Sequence, residues 1–317
     1  MNITLKKALE YYQKQEFESS KKICLKILDN DPKNFDANNL LAAIFFQNSE
    51  YLNAIKFFKN AITINPKIPH LYNNLSIAFC QIKKFDEALL SWDKAIKIKA
   101  DYAEAYFGKG NVYSIFKDYD KAINNYNSAI RINKNFKQAY SNLGNVYFLT
   151  KEFKKSLENF TIASNIEPVN EIEINNQGNI FFELRDYKVA LEKYNYATNI
   201  NPKFALGFYN IAKTYKEINQ NDDAIINYQK AIQLNNNFAE AYQNLGNLYL
   251  DLEIFEKGIF SLTQALRINP SLKNLHGTII QSKCGICDWS TFIEDKNLLK
   301  KNILMKKNIS NPFPVIS

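Results

Sequence analysis

The sequence predicts an all-α fold: a right-handed superhelical solenoid of eight stacked helix pairs, followed by a helical C-terminal cap. Three observations carry this. First, stepping back in 34-residue strides from Tyr249 meets Tyr215, Phe181, Tyr147, Tyr113, Phe79, Phe45 and Tyr11, with no insertion or deletion. Second, two further positions stay small throughout: Ala8, Ala42, Ser76, Gly110, Gly144, Gly178, Ala212 and Gly246 in one register, and Ser20, Ala54, Ala88, Ala122, Ser156, Ala190, Ala224 and Gly258 in the other. Third, apolar residues within each stride follow helical spacing twice over. A helix pair this short cannot bury its apolar face alone, so pairs with one shared pattern stack on one another.

The last repeat, 239–272, shows the unit most plainly. Tyr242, Leu245, Gly246 and Tyr249 form one helical stripe, Phe255, Gly258, Leu262 and Ala265 form a second, and Pro270 stops the second helix. Glycine costs roughly 1 kcal/mol of helix propensity against alanine, so Gly246 and Gly258 inside these stripes predict close approach of two helices. Going back along the chain, repeat one (1–34) departs from the pattern at Thr4, Cys24 and Ile27, as expected of a terminal repeat with one face unpartnered. Repeats from 35 and 69 are more regular. Those from 103, 137, 171, 205 and 239 fit well, apart from Gln177 in a leucine slot and Asn221 and Asn236 in aromatic and proline slots. The later alanine (Ala61, Ala95, Ala129, Ala163, Ala197, Ala231, Ala265) and the closing proline (Pro32, Pro66, Pro168, Pro202, Pro270) complete the set. This pattern resembles the tetratricopeptide repeat, and the resemblance covers residues 1–272. No linker or low-complexity stretch interrupts it, which predicts one unbroken array, and residues 273–317 form a separate cap or linker.

Charge argues against nucleic acid. Of the net +8, half comes from residues 273–317, where seven lysines face three acidic residues; along the repeats lysines alternate with acids, as a solvated helix face requires. The N-terminus lacks a secretory core and no run of 18 apolar residues exists, so a cytoplasmic address without membrane contact is expected. Cys24 and Cys80 fall on helical core positions. Cys284 and Cys287 form a CGIC pair, but a zinc site needs further paired ligands and a redox pair needs a βαβ setting; no metal and no cofactor is expected.

The positions that do not serve the core are more telling. A 100° step places the second, sixth, ninth and thirteenth residues of each first helix opposite its apolar stripe. The sixth position holds Asn74, Asn142, Asn176, Asn210 and Asn244, and the ninth holds Asn111, Asn145, Asn179 and Asn247. Asparagine is a modest helix former, and its amide can both donate to and accept from the backbone of an extended peptide without regard to side chains. These nine are the candidate peptide-binding residues; neutral polar filler is the alternative reading. In this register Asn142-Leu143-Gly144 and Asn244-Leu245-Gly246, with Asn74-Leu75-Ser76 and Asn210-Ile211-Ala212 as near matches, resemble the asparagine ladder in the repeats of O-linked N-acetylglucosamine transferases. Cys287-Asp288-Trp289-Ser290, a helix expected from Thr291, and Asn311-Pro312-Phe313 resemble the segment joining repeats to catalytic region in the bacterial, SPINDLY-like members. The resemblance implies the substrate-selecting arm of such an enzyme, a scaffold for extended polypeptide. The alternative is a nucleotide-sugar glycosyltransferase whose catalytic part lies outside this sequence. No residue here matches a catalytic motif, and His70 and His276 carry none.

Overall fold

The computed structural model describes residues 3–272 and 275–286. They form seventeen helices and no strand among the described residues. The chain divides into two compact units that meet at Ile166 and Glu167. In the first unit the pairs are α1 (Ile3–Gln13) with α2 (Phe17–Asn30), α3 (Phe35–Gln47) with α4 (Tyr51–Ile64), α5 (Pro69–Gln81) with α6 (Phe85–Ile98), α7 (Ala103–Ile115) with α8 (Tyr119–Ile132), and α9 (Lys137–Leu149) with α10 (Phe153–Asn165). In the second they are α11 (Glu171–Glu183) with α12 (Tyr187–Ile200), α13 (Ala205–Glu217) with α14 (Asn221–Leu234), and α15 (Ala239–Asp251) with α16 (Phe255–Ile268), followed by α17 (Leu275–Gly285). The helix pairs are thus the ones the 34-residue period predicts.

Within a unit each second helix also packs on the next first helix, so every pair is shared with its neighbour. First helices touch one another across repeats as well: α1 with α3, α5 with α7, α7 with α9, and α11 with α13, whereas consecutive second helices pack on each other to no comparable extent. First helices therefore stand on the inner side of each stack.

Packing inside a repeat rests on one recurring contact. The small residue at the eighth position lies under the large one at the twenty-fourth. A Cβ added to Gly110 would come within 2.6 Å of the Tyr126 ring, one on Gly178 within 2.5 Å of Tyr194, and one on Gly144 within 3.0 Å of Phe160. Tyr126, Tyr194, Tyr228, Phe58 and Phe160 are in consequence among the most deeply buried large side chains. The expected close approach at Gly246 and Gly258 is present: a Cβ on either would stand 3.1–3.2 Å from the carbonyl oxygen of the other. Ser20 and Ser156 use their second small position to donate to the carbonyls of Ala8 and Gly144, at 2.7 and 2.8 Å.

The turn inside each repeat is uniform. Residues 15, 49, 83, 117, 151, 185, 219 and 253 all adopt φ near +60°, and none is glycine. Lys117, for example, donates its N–H to the Ser114 carbonyl and Asp118 donates to that of Tyr113, the paired bonds of a Schellman C-cap. The connection between repeats is equally regular except after α10, which ends at Asn165; there Asn170 caps α11 by accepting from the Ile172 N–H at 3.0 Å. At the C-terminal end α17 lays Leu275 and Ile279 against Leu262 and Ala265 of the eighth repeat. Trp289, the CDWS segment and the helix expected from Thr291 lie outside the described residues.

Candidate functional site

The nine asparagines sit on first helices, and the structure sorts them by what occupies the twenty-fourth position nearby. In the first unit Asn111 on α7 accepts at Oδ1 from the Tyr126 hydroxyl (2.9 Å) and from Nδ2 of Asn142 on α9 (2.8 Å), so one tyrosine and two asparagines stitch consecutive repeats together. In the second unit Asn179 accepts from Tyr194 (2.8 Å) and from Asn210 Nδ2 (3.3 Å), while Asn210 also donates to Asn175 at 2.9 Å. Asn244 donates to the Tyr209 hydroxyl at 2.9 Å and lies within hydrogen-bonding reach of Tyr228. These five amides are fixed by their own protein.

The other four are not. Asn74, Asn145 and Asn247 make no hydrogen bond among the described residues, and Asn176 only accepts a long one, 3.5 Å, from Asn179. No tyrosine stands at the neighbouring twenty-fourth position: Phe58 precedes Asn74, Phe160 follows Asn145 and precedes Asn176, and Leu262 follows Asn247. Asn145 is exposed, and Asn74, Asn176 and Asn247 are half-buried. Asn210, in contrast, is only 8% exposed, so it lies inside the stack rather than on the open face that helical spacing assigns it. It is displaced because its amide bridges two side chains of α11.

Burial shapes the chemistry of the tyrosines. Desolvation pushes the Tyr126 hydroxyl up to about 12, eased by hydrogen bonds to Asn142 and Ser114, and raises Tyr194 and Tyr228 further. All three are therefore neutral at physiological pH. The thiols of Cys24 and Cys80 are raised to about 11 by burial, which leaves them protonated and poor nucleophiles, in keeping with their reading as core residues.

A feature the sequence reading missed lies in the first unit. A cavity of about 500 Å³ opens between α5, α7 and α9, walled by Ile77, Phe107, Ile115 and Phe136, floored by Trp92, and edged by Asn73, Glu104, Asn111 and Gln138. Trp92 is 3% exposed and donates Nε1–H to Asn73 Oδ1 at 2.9 Å. Its ring lies against Gly108, at the sixth position, where a Cβ would overlap the indole. The signal was available: Gly108 interrupts the run of asparagines at that position, and Trp92 is the one indole at the twenty-fourth position.

Comparison with known proteins agrees with this architecture. A family model described as TPR repeat matches residues 77–114, 117–151, 178–219 and 213–252. Two described as tetratricopeptide repeat match 5–69 and 239–272. Among curated proteins, a sequence search finds no match. Among solved structures, the APC/C hetero-tetramer Cut9–Hcn1 is similar over 88% of this chain and 55% of that one, at TM-score 0.60 and 21% identity. A tetratricopeptide repeat protein from Parabacteroides merdae is similar over 74% of this chain and 93% of its own, at TM-score 0.62 and 17% identity. PilF of Pseudomonas aeruginosa is similar over 63% and 90%, at TM-score 0.55 and 17% identity. The chain spans 55% of the length of the Cut9–Hcn1 chain, and at these identities the likeness is one of fold.

Proposed function

Built of tetratricopeptide repeats, this chain is, we propose, a protein-interaction scaffold that holds extended polypeptide against its first helices by hydrogen bonds to the peptide backbone. The observation that carries the reading is the division of the asparagines. Amides serving only as packing would all be bonded internally, as the Nδ2 of Asn210 is, and amides serving as filler would stand exposed anywhere. Instead Asn74, Asn145, Asn176 and Asn247 keep donors and acceptors unused at the same two register positions where their neighbours are tied down. The fixed amides retain capacity too. Asn111 and Asn142 share one contact, and each keeps polar atoms for a ligand.

Panning the full chain against a random twelve-residue peptide library and titrating the strongest binder by fluorescence anisotropy tests the reading. Replacing Asn74 with Asn145 in the first unit, or Asn176 with Asn247 in the second, by alanine removes bonds worth about 0.5–1.5 kcal/mol each, so Kd for a peptide held on that unit should rise at least about 5-fold with no change in melting temperature. An unchanged Kd would sink the backbone reading.

The finer reading, that the array selects polypeptide substrates for an O-linked N-acetylglucosamine transferase-like enzyme, is supported by Cys287-Asp288-Trp289-Ser290 and by the asparagine register. Its alternative makes this chain part of the glycosyltransferase itself. Reading the gene downstream of Ser317 separates them: in-frame continuation into a nucleotide-sugar-binding domain favours the enzyme, and a stop codon favours the adaptor.

A further inference from the structure

We infer that the cavity floored by Trp92 is a side-chain socket, which takes a large apolar residue of the bound peptide with a basic residue beside it. This rests on the peptide-scaffold reading and adds sequence preference to it. Three features of the site converge. The first is the interruption of the polar register at α7: where α9 presents Asn142, α7 presents Gly108, and the Trp92 ring fills the space a side chain would take. A peptide lying along these helices meets apolar floor at this point instead of an amide. The second is the surplus of uncovered apolar surface. Ile115 is 59% exposed and Ile77 37% exposed at the rim, and the Phe107 and Phe136 rings stand 4.8 Å apart in the wall. A volume of about 500 Å³ lies within the roughly 300–1,000 Å³ of sites that enclose organic ligands, enough for an aromatic or branched side chain together with its flanking backbone.

The third feature is charge. Glu104 at the edge is exposed and forms no ion pair among the described residues, whereas the nearest lysine on the same helix, Lys109, is already paired with Asp93. Apolar burial anchors the residue in the socket, and Glu104 selects a cation next to it. Asn111 supplies a backbone contact at the same point: its Oδ1 is taken by Tyr126 and Asn142, but its Nδ2 hydrogens donate to nothing among the described residues and can reach a peptide carbonyl.

The test uses the full chain and fluorescein-labelled twelve-residue Gly/Ser/Asn peptides carrying one Lys-Phe pair, with versions holding Ala for Phe or Glu for Lys. The Lys-Phe peptide should bind at least about 10-fold more tightly than the Lys-Ala peptide, as burial of a large apolar side chain allows. Ile77→Lys with Ile115→Lys, both on exposed rim positions, should abolish that difference without lowering the melting temperature, and Glu104→Lys should abolish the preference for Lys over Glu. Equal affinity for the Phe and Ala peptides would overturn the socket. If replacing Asn74 and Asn145 by alanine still weakens both peptides alike, the backbone reading survives that result; binding of neither peptide defeats both readings. Concentration-dependent sedimentation lost on Ile115→Lys would assign the socket to a second copy of this chain and overturn the peptide assignment.

Discussion

Asn111 and Asn145 occupy the same position of neighbouring repeats, yet fifteen residues further on the first finds Tyr126, whose hydroxyl it accepts at 2.9 Å, and the second finds Phe160, which has none. The presence of one oxygen decides whether the amide is committed to the stack or left without an internal partner. Tyr126→Phe should therefore lower stability by about 0.5–1.5 kcal/mol, the net worth of a hydrogen bond, and the loss should depend on pH in a defined direction. Burial raises the folded pKa to about 12 from an ordinary 10, so the neutral form is favoured on folding; the stability linked to Tyr126 is complete below pH 10 and is lost as pH rises towards 12. Urea midpoints at pH 7 and pH 11 check both: the drop between them should be smaller in Tyr126→Phe, with the remainder carried by Tyr194 and Tyr228. At this scale the sequence exposes the asparagines, through their register, but not their fates. The twenty-fourth position reads as core whether it holds Tyr or Phe, because both fill the same space above the small eighth residue. Only the hydroxyl separates them, and what it reaches depends on the packing of the following repeat.

Helix lengths and pairings follow from the small and large positions, whereas the conformation of the turn between paired helices does not. A left-handed residue in a Schellman cap ordinarily announces itself as glycine, and here the slot holds Gln15, Ser49, Lys83, Lys117, Lys151, Arg185, Asn219 and Glu253. The strain is accepted eight times because the next helix must start at once: Glu152, which follows Lys151, already accepts from Ser156 through its carbonyl. A non-glycine residue at φ near +60° costs roughly 1–2 kcal/mol, and glycine gives back part of the gain through the larger entropy of its unfolded chain. Lys151→Gly should accordingly raise stability by about 0.5–1 kcal/mol, read as a higher urea midpoint at unchanged m-value. A midpoint that stays or falls would mean the aliphatic stem of Lys151 packs on its surroundings more than the backbone is strained.

The period predicts one unbroken array, and within it the chain divides into two compact units with the boundary between Ile166 and Glu167. The joint is invisible to a count of residues, because Pro168 stands in its expected slot and the stride across it is still 34. What differs is backbone: the usual bond from residue 31 of the repeat to the carbonyl of residue 27, as from Asn133 to Ala129, is replaced by one from Ile166 to Ala163. Stability in a repeat stack is close to a sum of helix-pair terms and nearest-neighbour interfaces, so a unit that contains its own pairs and interfaces holds most of what it needs. The first unit has five pairs and a large continuous cluster running from Ala8 to Val112 through Leu41, Phe58 and Trp92. A fragment of residues 1–166 should therefore keep its helical circular dichroism signal and unfold cooperatively. Its m-value should be about half that of the whole chain, since m scales with the surface exposed on unfolding. It also contains Asn74, Asn111, Asn142, Asn145 and the Trp92 cavity, so a peptide with a Lys-Phe pair should still distinguish itself from its alanine version on the fragment. A fragment that loses its helicity would show that the first unit draws its stability from the rest of the chain. One that folds but no longer discriminates would overturn the placement of the socket within the first unit.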